Sequence, residues 1–256
     1  MAVAAEKAWV SGTPKLWMRH PGGARQCPGC HHPIIERLIA EVVEEMGIED
    51  RMVIVAGIGC GARIFPMMNF DGLVAAHGRP PDVASAIKRS LKGRPIVATY
   101  QGDGDAISIG AGPLINAAAR AEKITIIMVN NINYGTTGGQ MAPTSLLGQV
   151  TSTTPEGRDP STGYPMHVPE LLATIKGVAY TARTSVHTPA NYQRTKKYLK
   201  AALQKQMDNT GFSLLEILSA CPPDWRLNPI ECLNFIQEKL IPEYPLGEYK
   251  NVDSTA

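Results

Sequence analysis

The stretch PIVATYQGDGDAISIGAGPLINAAARAEKITIIMVNN, residues 95–131, decides how the chain folds. It opens on the apolar run Pro95–Tyr100 and turns at Gly102-Asp103-Gly104-Asp105. A helix of small residues, Ala106 to Ala121, follows, and a second apolar run, Ile124–Val129, ends in Asn130-Asn131. Short, unbroken apolar runs suit strands buried on both faces, as in a parallel sheet. Strand, helix, strand is the repeating unit of such a sheet.

The same alternation extends outward. Upstream, a helix is expected from His31 to Met46, with Ile34, Ile35, Leu38, Ile39, Val42, Val43 and Met46 at helical spacing and Gly47 as its stop. The strand Met52–Gly57 and a helix from Pro81 to near Gly93 come next. Downstream, a helix begun by Pro169, a strand over Val178–Thr184, a helix over Ala190–Met207, the strand Phe212–Leu218 and a last helix from Pro229 complete an α/β fold. Helices on both faces of one parallel sheet are expected. Residues 1–26 read as an N-terminal arm, 27–228 as the α/β domain and 229–256 as a C-terminal helix and tail. Residues 132–167 are polar, rich in Gly, Thr and Pro and without periodicity; loops of that length are usually functional or disordered.

Composition narrows the function classes. The 256 residues carry a formal charge of +2, with 44% apolar and 19% charged residues, which is ordinary for a globular protein. No basic excess marks a nucleic-acid surface, and no apolar run is long enough to span a bilayer. The N-terminal residues lack the apolar core and cleavage site of a secretion signal. Five cysteines, an odd number, argue for ligands or free thiols in a reducing cytoplasm rather than for a disulfide framework.

Ligands of parallel sheets bind at the carboxyl ends of the strands. Three unusual sequences fall there: Gly57-Ile58-Gly59-Cys60-Gly61, Gly102–Asp105, and Asn130–Gly135. Glycines between strand and helix let backbone N–H groups approach a phosphate. A carboxylate in the same loop would repel that phosphate unless a divalent cation lay between them. Magnesium takes oxygen ligands, and Asp103, Asn131 and a backbone carbonyl near Asn133 can supply three. The alternative is a plain turn beside an Asn-rich loop. Neither an EF-hand nor a Walker loop is present.

Cys27-Pro28-Gly29-Cys30 is a CxxC; Cys60 and Cys221 each follow a strand. Four thiolates could hold zinc or a [4Fe–4S] cluster. Cys232, among Ile230, Leu233 and Ile236, reads as a buried, inert thiol. Gly57-x-Gly59-x-x-Ala62 is formally a dinucleotide fingerprint, but Phe65-Pro66 and the following breaks leave no clear helix after it.

Gly-Asp-Gly and Asn-Asn, with Asp103 and Asn131 lying 28 positions apart, resemble the thiamine-diphosphate motif. With Cys27–Cys30, Gly57–Cys60, Tyr134-Gly-Thr-Thr-Gly-Gly-Gln140 and Cys221-Pro-Pro with Trp225, the chain resembles the beta subunit of the 2-oxoacid:ferredoxin oxidoreductases over most of its length. The resemblance implies a thiamine-diphosphate domain. Cys27, Cys30, Cys60 and Cys221 would ligate one [4Fe–4S] cluster, and Asp103, Asn131 and the Asn133 carbonyl would bind Mg²⁺. Ile58, Gly59, Cys60, Gly61, Gly104, Asp105, Gly135 and Thr136 would line the cofactor. Arg63 takes the place of a basic residue that faces the substrate carboxylate in relatives; a surface arginine is the alternative.

The implied activity is CoA-dependent oxidative decarboxylation of a 2-oxoacid to acyl-CoA and CO₂. Single electrons would pass through the cluster to ferredoxin. Thr154–Pro160 and Tyr244–Glu248 look most like branched-chain members; pyruvate, 2-oxoglutarate and aryl 2-oxoacids remain alternatives, as does a zinc-stapled non-catalytic subunit. No carboxylate for the aminopyrimidine is evident, so an alpha subunit is expected as partner and the chain alone is expected to be inactive. Its length agrees with that expectation. Gamma and delta (ferredoxin-like) subunits would be separate chains. His31-His32 departs from the usual Gly-His after the CxxC. Position 133 is often apolar in relatives, a small matter if only its carbonyl binds metal.

Overall fold

A computed structural model describes residues 13–17 and 26–253. Its centre is a seven-stranded sheet of β1 (Met52–Ala56), β2 (Asp71–Val74), β3 (Ile96–Gly102), β4 (Thr125–Asn130), β7 (Val178–Ser185), β8 (Phe212–Leu218) and β9 (Gly247–Asn251). A hairpin of β5 (Asn133–Tyr134) and β6 (Gln140–Met141) stands apart from it. The sheet order is β2-β1-β3-β4-β8-β7-β9, parallel throughout except that β9 runs antiparallel to β7.

Why the central strands lack alternation is visible in their packing. Ile54, Ala98, Tyr100, Ile127 and Val129 enter one apolar core; Val55, Val97, Ile126 and Met128 enter another on the opposite face. Successive side chains of a strand point to opposite faces, so two buried faces require apolar residues at every position. The first core is closed by α1 (His32–Met46) and α5 (Pro189–Met207). The second is closed by α2 (Pro80–Ser90), α3 (Ala111–Ala119) and α4 (Val168–Ala173). α1 stops as its sequence requires: Gly47 takes φ of 62°, and Ile48 N donates to Val43 O at 3.2 Å. Truncating a core residue such as Ile39 to Ala would cost about 2–5 kcal/mol.

Several elements differ from expectation. The helix expected over 106–121 opens with a π-turn, Gly104–Ile109, before α3 begins at Ala111. Such wide turns often lie at functional sites. Residues 60–67 form a 3₁₀ helix, and β2 follows as an edge strand. Residues 229–253 contribute α7 (Pro229–Phe235), which follows the short α6 (Pro222–Trp225), and also β9, so the expected tail joins the sheet. A third core, with Ile132, Leu218, Ile236, Leu240 and Tyr244, seats the C-terminal helices over the ends of β4 and β8. The expected arm, 1–26, lies largely outside the described residues. Among the described residues no helix is long and apolar enough to cross a membrane.

Candidate functional site

The carboxyl ends of β1, β3 and β4 open into one cleft. Its walls come from Ile58–Gly61, Gly102–Asp105, Asn131 and Asn133–Thr137, with His32 and His77. Every residue expected to line a cofactor is present there. The glycines have separate reasons. A Cβ on Gly57 would lie 2.1 Å from Asp105 Oδ2, and one on Gly104 would lie 2.3 Å from the Tyr134 ring. A Cβ on Gly102 would meet nothing within 4 Å, so this glycine borders open space in the cleft.

Asp103, Asn131 and Asn133 meet at one point. The Asn131 amide lies between Asp103 Oδ1 and the Asn133 carbonyl, with one terminal atom 3.1 and 2.8 Å from them. With its nitrogen inward the amide donates to both oxygens; with its oxygen inward the three groups present three acceptors to a cation. Adjacent oxygens on an octahedral Mg²⁺ at ~2.0–2.1 Å would stand about 3 Å apart. This donor set therefore fits a hard divalent cation. Burial pushes the Asp103 carboxyl up to about 7, although the Thr144 hydroxyl donates to its Oδ2. A cation beside the carboxylate would reverse that shift. The Asn133 side chain turns away, donating to Asp224 Oδ2 at 2.8 Å, so the backbone carbonyl alone faces the oxygens.

The cysteines come from three segments that pack together. The Cys27–Cys30 turn closes with Cys30 N donating to Cys27 O at 3.1 Å. Its Gly29 sits so tightly against Pro229 and Pro222 that a Cβ would lie 2.6 and 3.2 Å from their rings. Gln26 Nε2 donates to Cys60 O at 3.1 Å. Cys60 Sγ lies 3.0 Å from Thr136 Oγ1, and Cys221 Sγ donates to Asp224 Oδ2 at 3.2 Å. Burial first, then the charges of Cys60 and Cys27, push the Cys30 thiol up to about 12. Burial also raises Cys221. The four thiols share one region, yet among the described residues no three His, Cys, Asp or Glu side chains are gathered as metal ligands. Cys232 is fully buried in the third core.

His31 and His32 are both held near 4, mainly by burial, and are neutral. Ala220 N donates to His31 Nδ1 at 3.3 Å, and His32 Nδ1 is 2.6 Å from the Tyr100 hydroxyl. Arg63 is exposed on the 3₁₀ helix and stands outside the cleft lining, although its charge reaches His32.

Two functional candidates escaped the sequence reading. His77 lines the cleft and hydrogen-bonds through Nδ1 to Asp105 Oδ1. Gly78 N donates to the same oxygen at 2.8 Å, and Gln101 Nε2 donates to Oδ2 at 2.5 Å. Its signal, a histidine just past a strand, was hidden because β2 is exposed along its whole length. Thr144 lies in the long loop, where nothing local points to Asp103.

Residues 58–217 match the family described as "Thiamine pyrophosphate enzyme, C-terminal TPP binding domain". The chain is 39% identical over 235 residues to ketoisovalerate oxidoreductase subunit VorA of Methanothermobacter marburgensis, covering 91% of this chain and 49% of that protein. It is 33% identical over 212 residues to 2-oxoglutarate synthase subunit KorB of Archaeoglobus fulgidus, covering 83% of this chain and 75% of that protein. The chain spans about half the length of the VorA relatives it matches. In fold it is similar to the 2-oxoglutarate:ferredoxin oxidoreductase from Magnetococcus marinus with 2-oxoglutarate, coenzyme A and succinyl-CoA bound. That likeness has a TM-score of 0.80 at 24% identity, over 99% of this chain and 89% of that one.

Proposed function

Because this chain belongs to the beta-subunit family of the 2-oxoacid:ferredoxin oxidoreductases, with its thiamine pyrophosphate-binding domain, we propose that it forms the diphosphate-binding half of such an enzyme. One observation carries the reading: the Asp103 carboxylate, the Asn131 amide and the Asn133 carbonyl converge in a glycine-walled cleft at the strand ends.

In this reading Asp103, Asn131 and the Asn133 carbonyl hold Mg²⁺, and Thr144 keeps the Asp103 carboxylate turned towards it. Gly59 and Gly102, where a Cβ would meet little or nothing, leave room for a diphosphate to approach backbone N–H groups. Thiamine diphosphate supplies the electron sink that lets a 2-oxoacid lose CO₂. Ile58, Cys60, Asp105 and Thr136 complete the wall, with Asp105 also fixing His77. Cys27, Cys30, Cys60 and Cys221 would supply the ligands of a [4Fe–4S] cluster: their three segments pack together, although among the described residues no three of these side chains are yet gathered as ligands. Zinc is the competing occupant of those thiols. Arg63 receives the substrate carboxylate if closure with a partner brings it over the cleft.

The substrate assigned is a branched-chain 2-oxoacid, supported by the VorA relative; 2-oxoglutarate is the second reading, supported by KorB. An alpha subunit carrying the pyrimidine-binding domain is the proposed partner, coenzyme A the acyl acceptor and ferredoxin the electron acceptor. Five free cysteines suit a reducing cytoplasm. The test is to purify the chain with its partner, measure iron and labile sulfide, and follow viologen reduction with coenzyme A and a panel of 2-oxoacids. About four irons per chain and fastest turnover on a branched-chain acid are expected. Zinc without iron, or activity of the unpartnered chain, contradicts the reading.

A further inference from the structure

Ile132 is fully buried and β-branched, yet its φ is 56°. That left-handed conformation crowds a branched Cβ and persists only where the surroundings over-determine it. Ile132 N donates to Asn130 Oδ1 at 3.0 Å. Its carbonyl accepts from Ser145 Oγ at 2.6 Å and from Gln149 Nε2 at 3.1 Å. Asn130 is fixed in turn: its Nδ2 donates to Glu216 Oε1 at 2.6 Å, and Glu216 pairs with the buried Arg183 at 2.6 Å. The residues flanking Ile132 supply two of the three converging groups, the Asn131 side-chain amide and the Asn133 carbonyl. Backbone geometry at Ile132 therefore aims both.

The segment that grips Ile132 also grips the third oxygen donor, since Thr144 donates to Asp103. It is well braced. Ser145 Oγ accepts from Ala142 N at 2.9 Å, and Gln149 Oε1 accepts from Leu146 N at 2.9 Å. Tyr244 donates its hydroxyl to Thr144 O at 2.6 Å, and Arg158 Nη1 donates to the carbonyls of Pro143, at 3.0 Å, and of Ser145.

We propose that residues 142–149 are the positioning shell of the divalent-cation site. Ser145 and Gln149 hold the left-handed Ile132 peptide so that Asn131 and Asn133 aim at the point Asp103 already faces. The inference rests on the cation reading above and adds the groups that orient its ligands. Outer-shell groups of this kind typically change metal affinity about 10–100-fold when removed.

The test uses the chain assembled with its partner, thiamine diphosphate and Mn²⁺, with free Mn²⁺ read by electron paramagnetic resonance. Ser145→Ala and Gln149→Met each raise the Mn²⁺ dissociation constant about tenfold. The metal-free melting temperature moves only a few degrees. Glycine adopts positive φ without strain, so Ser145→Ala added to Ile132→Gly changes the constant by less than about twofold. Unchanged Mn²⁺ affinity in both single variants overturns the inference, as does an equal Ser145→Ala effect in both backgrounds. If Ser145→Ala fails to fold, the half-buried Gln149→Met decides alone. Wild-type protein that binds no Mn²⁺ overturns the cation reading itself, a separate failure.

Discussion

His77 donates from Nδ1 to the carboxylate of Asp105, which Gly78 and Gln101 also engage. Asp105 is buried, while the His77 side chain is one-third exposed and lines the cleft. A hydrogen bond to a charged group is worth ~1.5–3 kcal/mol. His77→Ala is therefore expected to weaken thiamine diphosphate binding by about tenfold or more, with a smaller loss of stability than Asp105→Asn because Gly78 still donates to Asp105 Oδ1. Asp105→Asn weakens binding too, and lowers stability by about 2 kcal/mol because buried donors lose an acceptor. Calorimetric titration with parallel urea denaturation separates the two; a His77→Ala protein with unaltered affinity contradicts the assignment.

Gly57 and Gly102 make opposite demands. A methyl at Gly57 would strike the Asp105 carboxylate at 2.1 Å, and that carboxylate is held on both oxygens. Gly57→Ala should destabilise by about 1–3 kcal/mol. A methyl at Gly102 meets no atom within 4 Å but enters the cleft. Gly102→Ala should leave the urea midpoint within about 0.5 kcal/mol of wild type and lose cofactor affinity. Reversal of this order in denaturation midpoints contradicts the described cleft.

Glu36 is fully buried, and among the described residues its Oε2 has no hydrogen-bond partner; Gln26 donates to Oε1 at 3.3 Å. Burial pushes its carboxyl from 4.5 up to about 7. Below pH ~4.5 both folded and unfolded chains hold the proton, and the site costs nothing. As pH rises from there towards 7 the unfolded chain ionises first, so stability falls by up to about 3 kcal/mol and then levels. Glu36→Gln should thus raise the melting temperature clearly at about pH 8 and little at about pH 5. An equal gain at both pH values would show that Glu36 is not held protonated.

The sheet centre was legible because β1, β3, β4 and β8 are buried on both faces and written almost without polar interruption. Its edges were not: Asp71–Val74 is exposed at all four positions, and Gly247–Asn251 pairs only through β7. The same divide runs through the site. Asp103 and Asn131 could be read because chemistry-bearing residue types stand just past legible strands. His77 follows an illegible one. Thr144, Ser145 and Gln149 act through contacts made by the folding of the long loop, to which no local pattern corresponds. The left-handed turn at Ile132 was hidden for a further reason, since a β-branched residue signals the opposite conformation.

The convergence of Asp103, Asn131 and the Asn133 carbonyl is tested most directly by titrating thiamine diphosphate into the chain assembled with its partner, with Mg²⁺ and then with chelator. The expected result is binding that requires Mg²⁺ and weakens about 100-fold or more in Asp103→Asn, which keeps the side chain's shape and removes its charge. Equal affinity with and without Mg²⁺, or an Asp103→Asn protein that binds as wild type does, would contradict the account.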